Sequence, residues 1–216
     1  MPSEAKNTLS DISPQDIIEC WFGVGPDNAS TLEQRFSQWF SADTDPDFDE
    51  ALRRRFGGVV VDAQRGRLAD WSSTARGCLA LVLLFDQLPR NIYRGTKQAF
   101  ACDHLALAIT TQGIERGFDL QLTILERLFF YIPFEHAEDP HAQTQCNRHY
   151  HALNKLAGTE LKGITQKCVA GSAEHQAVIR RFGRFPQRNF VLGRDSTAQE
   201  LAWLDQHHGW GQKRAK

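Results

Sequence analysis

Apolar residues that lie three or four positions apart constrain the fold of this chain more than any other feature. Phe48, Leu52 and Phe56, for example, lie four residues apart and therefore share one face of a helix. No segment sustains the alternation of apolar and polar residues that is typical of a half-buried β-strand. The segments VVV (59–61) and NFVLG (189–193) resemble short strands, but single elements cannot form a sheet. We therefore predict an all-α fold.

Helix-start signals divide the chain into segments. Asp45 and Pro46 combine a capping side chain with a proline at the first helical position. Thr197 and Glu200 have the spacing of a capping box. These signals and the apolar periodicity predict about eight or nine helices, at residues 14–22, 31–40, 45–66, 73–89, 95–113, 122–139, 140–158, 174–183 and 196–209. Because the connections are short, we expect neighbouring helices to pack antiparallel.

The size and composition of the chain fit one soluble globular domain. It has 216 residues, of which 41% are hydrophobic and 24% are charged. We expect a single helical domain at residues 13–210, between a flexible N-terminus at 1–12 and a flexible basic tail at 211–216.

Charge and cysteine content limit the partners and the compartment. A net charge of -1 argues against nucleic acid as a partner. The longest apolar stretch, Cys78 to Phe85, is too short to span a bilayer, and the N-terminus lacks the features of a signal peptide. The five cysteines are odd in number and contain no C-x-x-C pair, which indicates free thiols in a reducing compartment. We predict a cytoplasmic protein without a membrane partner.

The stretch LLFDQLPRNIYRGT (83–96) combines an apolar run with an unexpected carboxylate. The run ends in Asp86, and Pro89 is expected to end the helix. Polar residues follow, namely Arg90, Asn91 and Arg94. The helix dipole disfavours a carboxylate in the last turn by roughly 0.3–1 kcal/mol. Asp86 therefore indicates either a buried ion pair or the floor of a polar site.

Two further stretches concentrate polar residues. FEHAED (134–139) contains Glu135, His136 and Glu138. EHQAVIRRFGRFPQRN (174–189) contains His175, Asn189 and four arginines, at positions 180, 181, 184 and 188. Guanidinium groups bind carboxylates and phosphates well, so these arginines could hold an anionic ligand or pair with the nearby acids.

The third stretch also echoes the first. FDQLPRN (85–91) and FGRFPQRN (182–189) both carry an aromatic residue, then an apolar residue and a proline, then Arg-Asn, with one extra residue in the second. Each is interpreted as a helix end followed by a guanidinium and an amide.

These stretches resemble one known family. LLFDQLPRNIYRGTKQAFACD (83–103), FFYIPFEHAED (129–139) and the segment 175–204, together with WFG (21–23), look like the bacterial domain-of-unknown-function family 924. The resemblance implies an all-helical, tetratricopeptide-like fold and no known reaction. The chain departs from the family pattern at Ala137, where serine is usual, and at Gln187, where histidine is usual.

Two functional hypotheses remain open at this point. In the first, a small anionic molecule binds between helices, with acid/base chemistry by Asp86, His136 and His175. Its ligand-binding residues would be Arg90, Asn91, Arg94, Glu135, Glu138, Arg181, Arg184, Arg188 and Asn189. In the second, the protein is a tetratricopeptide-like scaffold for a protein or peptide, and the polar motifs lock its corners.

We expect no metal and no cofactor. Consecutive residues such as Glu135 and His136 point in different directions on a helix, so a metal would need ligands from distant segments. The sequence contains no nucleotide-binding, nucleophile-elbow or zinc-protease motif.

Overall fold

The computed structural model describes residues 12–24, 35, 39 and 45–207. Its α-helices are α1 (Pro14–Phe22), α2 (Pro46–Gln64), α3 (Ala75–Val82), α4 (Leu88–Ile92), α5 (Asp103–Glu115), α6 (Ile124–His136), α7 (Pro140–Leu156), α8 (Thr159–Phe182), α9 (Asn189–Leu192) and α10 (Ala198–Gln206). A π-helical turn, Leu83–Gln87, joins α3 to α4. Short 3-10 turns lie at Ala69–Ser73, Lys97–Phe100, Asp119–Gln121 and Pro186–Arg188.

The all-α prediction is confirmed, since the described residues contain no strand. The tetratricopeptide-like arrangement stays a prediction. Residues 59–61 and 189–192 are helical rather than extended. The helix predicted at 31–40 lies outside the described residues except for positions 35 and 39, and most of both expected flexible ends also lies outside them. None of the described helices is both long enough and apolar enough to cross a membrane.

Helix α8 begins at Thr159, well before the predicted start at residue 174. The part that the prediction missed, residues 159–173, contains Gly163 and Gly171 and has a weak apolar period, so the sequence signal is faint there. Packing against α7 and α6 compensates for the low helix propensity, because tertiary contacts supply most of the stability of a helix.

Helix α6 is the central element of the fold. It packs against α3, α5, α7 and α8, and its residues from Phe129 to Phe134 are all buried. Pro133 lies inside the helix without ending it, and α6 continues to His136. The central position of α6 brings Glu135 and His136 close to residues of several other helices.

The prediction that Pro89 ends its helix is wrong. The helical path continues through the π-helical turn into α4, where Pro89 occupies the first turn. A regular α-helix would press the proline ring against the carbonyl group of Phe85 and leave that carbonyl without its donor. In the wider turn, Leu88 donates its backbone N–H to the carbonyl oxygen of Leu83 instead.

Helix α5 crosses α6 at very short range. A Cβ atom added to Gly113 would lie 2.6 Å from the ring of Phe130, so this position has room only for hydrogen. One turn away, Thr110 donates its hydroxyl hydrogen to the carbonyl oxygen of Phe130 at 2.9 Å. The contact fixes α5, which carries Asp103, against α6, which carries His136.

We expect Gly113→Ala to lower the free energy of unfolding by about 1–3 kcal/mol, because the added methyl group must displace Phe130. Gly58→Ala is a matched control, since an added Cβ meets nothing within 4 Å there. The control should raise stability by about 0.4–1 kcal/mol. Urea denaturation measures both values, and equal effects of the two substitutions would contradict the close α5–α6 contact.

Candidate functional site

Asp86 is the innermost residue of the candidate site. It lies in the π-helical turn and has an exposed fraction of 0%. Gln87 donates a side-chain N–H to its carboxylate, and the guanidinium Nη1 of Arg90 lies 3.4 Å away from Oδ2. Arg90 thus faces Asp86 across Pro89, because the helical path from the π-helical turn into α4 keeps both on one side.

His136, the last residue of α6, completes the environment of Asp86. Its Nδ1 lies 2.9 Å and 2.8 Å from the two carboxylate oxygens. Burial alone would raise the pKa of Asp86, but Arg90 and His136 outweigh it and lower this pKa to about 2. Burial, together with Arg90, lowers the pKa of His136 below its usual value, although Asp86 opposes the shift. At neutral pH the pair is thus a carboxylate and an uncharged imidazole.

Asp103 joins two arginines from different parts of the chain. Arg90 binds both of its carboxylate oxygens at 2.9 Å, in the bidentate geometry that guanidinium groups favour. Arg188 of the last 3-10 turn donates one hydrogen bond to Asp103, at 3.2 Å. The two arginines of the FDQLPRN and FGRFPQRN echo therefore meet at one carboxylate.

Arg188 is held between aromatic rings. Its guanidinium carbon lies 4.7 Å from the ring centre of Phe100 and 4.6 Å from that of Phe185. Burial and the charge of Arg90 lower the pKa of Arg188 to about 10, despite the opposing effect of Asp103. Within the described part of the chain, the bond to Asp103 is the only hydrogen bond of its side chain.

Glu135 and His175 form a second pair beside the first. His175 Nδ1 lies 3.0 Å from Glu135 Oε1 and 2.9 Å from the carbonyl oxygen of Gly171. Burial, with Asp86 and Glu174 nearby, raises the pKa of Glu135 to about 8. Burial lowers the pKa of His175 to about 3. We refer below to the polar cluster, which consists of Asp86, Arg90, Asp103, Glu135, His136, His175 and Arg188.

Three of the proposed ligand-binding residues bind other partners. Asn91 donates to Asp49 of α2 at 2.7 Å, and Arg94 donates to the same carboxylate at 2.8 Å. Arg181 is exposed, and its guanidinium lies over the ring of Phe182. None of these contacts involves the polar cluster.

The remaining proposed residues form a corner around the end of α8. Glu138 accepts two hydrogen bonds from Arg194, at 2.6 Å and 2.9 Å, and one from the backbone N–H of Phe185. Asn189 accepts from Arg194 through its side-chain oxygen.

Arg184 binds the nearby C-terminal helix. It donates two hydrogen bonds, at 2.7 Å and 2.9 Å, to Glu200 of α10, which is buried. Glu200 also completes the predicted capping box with Thr197. Arg184 thus has a carboxylate partner in the fold itself.

Two residues of the cluster environment, Asp103 and Gln87, were not predicted. Asp103 occupies the first turn of α5, where an acidic residue is common for reasons of the helix dipole, so its position gave no signal. At Gln187, where the family pattern has histidine, the side-chain oxygen is buried and has no hydrogen-bond partner among the described residues. Gln187 therefore takes no part in the network that joins Arg188 to Asp103.

The described residues contain no group of three or more His, Cys, Asp and Glu side chains arranged to hold a metal ion. All five cysteines are free thiols, as the sequence predicts.

The chain belongs to a family of bacterial proteins of unknown function, DUF924, whose model matches residues 17–208. The resemblance drawn from the three polar stretches is thereby confirmed. The chain is also similar to the structure of ATU0120, a protein of unknown function from Agrobacterium tumefaciens. The two share 36% sequence identity with a TM-score of 0.73, over 90% of this chain and 97% of that one. No curated protein matches the chain.

The hydrogen of His136 can be placed by experiment. Because an ionised Asp86 only accepts hydrogen bonds, we expect uncharged His136 to carry its hydrogen on Nδ1 at pH 7. Long-range ¹H–¹⁵N spectra distinguish this tautomer from the Nε2–H form and from imidazolium. A signal typical of imidazolium at pH 7 would contradict the lowered pKa of His136.

Proposed function

We propose that the protein binds a small anionic molecule at the polar cluster and performs acid/base chemistry on it. One observation carries the proposal. The side chain of His136 is fixed through Nδ1 to buried Asp86, makes no other hydrogen bond to described residues, and is 20% exposed. Its Nε2 is therefore an acceptor in reach of a ligand.

His136 has the properties of a general base. A base must be uncharged before it accepts a proton, and the lowered pKa of His136 keeps it so at pH 7. Asp86 would then stabilise the imidazolium that forms, as the carboxylate does in other histidine–aspartate pairs. Positioned groups of this kind typically contribute about 10²–10⁴-fold in rate.

Arg188 is the best candidate to hold the anion. Four other arginines each donate two hydrogen bonds to one carboxylate, namely Arg90, Arg94, Arg184 and Arg194. Arg188 shares Asp103 with Arg90 and contributes a single hydrogen bond to it, so further N–H donors remain for a ligand. Of the arginines proposed from the sequence as ligands of the anion, Arg188 is therefore the principal candidate.

The anion site can be tested by thermal denaturation. Sulfate, phosphate or succinate should raise the melting temperature of the wild type by binding the native state, and Arg188→Met should abolish the rise. Arg181→Met removes the same charge from an exposed position on α8 and should leave the rise intact.

Either of two outcomes would count against the site. An anion-dependent shift that persists in Arg188→Met would place the anion elsewhere. A shift lost equally in Arg188→Met and Arg181→Met would indicate a general effect of net charge.

A second candidate function is a scaffold for a protein or peptide, in which the polar motifs are locks. The observation in its favour is that Arg184 and Arg194 are fully engaged at the corner around α8, with Glu200 and Glu138. Removing one partner of a buried pair is costly, because the other charge is left without compensation.

Under the scaffold function, Arg184→Ala and Arg188→Met should lower the melting temperature by similar amounts, while no anion stabilises the wild type. Calorimetry of both variants measures this. A much smaller loss for Arg188→Met, together with an anion-dependent shift in the wild type, would exclude a purely structural role for Arg188.

A further inference from the structure

We infer that Glu135 carries a proton at neutral pH, and that this proton controls how well the polar cluster holds an anion. The inference rests on the proposed function, since it concerns the same anion site. It assigns to Glu135 a regulatory role in place of direct contact with the ligand.

The first support is that Glu135 lacks a cationic partner. The neighbouring carboxylates each contact an arginine, in the pairs Asp86–Arg90, Asp103–Arg90 and Glu138–Arg194. Glu135 has His175 as its only ionisable partner within ion-pair distance among the described residues. The side chain of Glu135 is only 14% exposed, and a carboxylate so largely buried without a compensating charge is costly enough that the group takes up a proton instead.

The second support is the hydrogen on His175. The carbonyl oxygen of Gly171 can only accept, so the 2.9 Å contact requires the hydrogen of His175 on Nδ1. The same N–H faces Glu135 Oε1 at 3.0 Å. Because the pKa of His175 is about 3, the imidazole is uncharged at neutral pH and offers Glu135 a hydrogen bond without a positive charge.

The third support is an acceptor for the proton of Glu135. Tyr150 donates its hydroxyl hydrogen to the carbonyl oxygen of Leu128 at 3.2 Å, which leaves the lone pairs of its oxygen available. The Glu135 carboxyl group also interacts with Tyr150, and a hydrogen bond donated by Tyr150 would lower the pKa of Glu135. Because the Tyr150 hydroxyl hydrogen is donated to Leu128, a protonated Glu135 can instead donate to the Tyr150 oxygen while it accepts from His175.

The electrostatic surroundings agree with this arrangement. Titratable groups face Glu135 from the π-helical turn, from α7 and from α8, and they are Asp86, Cys146, Tyr150, Cys168, Glu174 and His175. None of them is a cation at neutral pH. Burial, Asp86 and Glu174 together raise the pKa of Glu135 to about 8.

The consequence for ligand binding follows from the charges. With Glu135 uncharged, the charges of Asp86 and Asp103 are balanced by those of Arg90 and Arg188. Loss of the Glu135 proton would add an unbalanced negative charge to the same cluster. An anion at Arg188 should therefore bind less tightly when Glu135 is ionised, and binding of the anion should in turn raise the pKa of Glu135.

The proton can be observed without a ligand. Infrared difference spectroscopy of the wild type should show the C=O band of a protonated carboxyl group that disappears as the pH rises through about 8. Glu135→Gln should lack this band. Glu160→Gln changes an exposed acid in the first turn of α8 in the same way and should keep the band.

The pH dependence of the free energy of unfolding is an independent test of the proton on Glu135. A pKa that is higher in the native state than its ordinary value of 4.5 means that the proton stabilises the fold at low pH. This contribution is lost as the pH rises from about 4.5 through about 8. The free energy of unfolding of the wild type should therefore fall relative to that of Glu135→Gln over this range, whereas Glu160→Gln should follow the wild type.

Anion binding is then measured with sulfate, which stays a dianion between about pH 6 and 9. The affinity of the wild type should fall by about fivefold or more between pH 7 and pH 9, within the usual range of coupling between sites. Glu135→Gln should retain its affinity, and Glu160→Gln should resemble the wild type.

Each outcome has a defined meaning. Absence of the carboxyl band at neutral pH, or an equal loss of sulfate affinity in Glu135→Gln and the wild type, overturns the inference. If sulfate fails to bind at any pH, the control of anion binding fails together with the proposed anion site. The carboxyl band and the stability profile would then show separately that Glu135 holds its proton.

Discussion

The burial of the Asp86 carboxylate is the interaction on which the arrangement of the helices around the polar cluster depends. A fully buried carboxylate is tolerated only when charges and hydrogen bonds compensate the loss of water. The compensation comes from His136 at the end of α6 and from Arg90 on α4. If either partner moved away, the buried charge of Asp86 would lose part of its compensation. The end of the central helix α6 is therefore fixed to the π-helical turn.

The same requirement extends outward through Asp103. Arg90 contacts both Asp86 and Asp103, and Asp103 also accepts a hydrogen bond from Arg188. A chain of alternating charges therefore connects α4, the start of α5 and the 3-10 turn that follows α8. This explains why polar residues from three distant stretches of the sequence converge, although each stretch by itself looks like an ordinary helix end.

The fold class and most helices could be predicted from the sequence, because apolar period and capping residues are local signals. The continuation through Pro89 could not, since a π-helical turn forms only when the surrounding packing favours it over a break. The echo of the two arginine motifs placed Arg90 and Arg188 each after a predicted helix end, but gave no sign of Asp103 as their meeting point. The raised pKa of Glu135 was likewise hidden, because it arises from burial and from neighbours that only the folded chain brings close.

A structural lock and a ligand site make different demands on the same residues. A lock requires that donors and acceptors match, as they do for Arg184 with Glu200 and for Arg194 with Glu138. The polar cluster departs from this rule at three residues: the side chain of Arg188 makes a single hydrogen bond, His136 leaves Nε2 open, and Glu135 is largely buried without a cationic partner. At these three residues the cluster does not meet the requirement of a lock. Well-packed apolar residues would often stabilise the fold as well as a buried ion pair does, so stability alone gives little reason for such a cluster. The three departures are the properties that a site needs when it must hold an anion and move a proton.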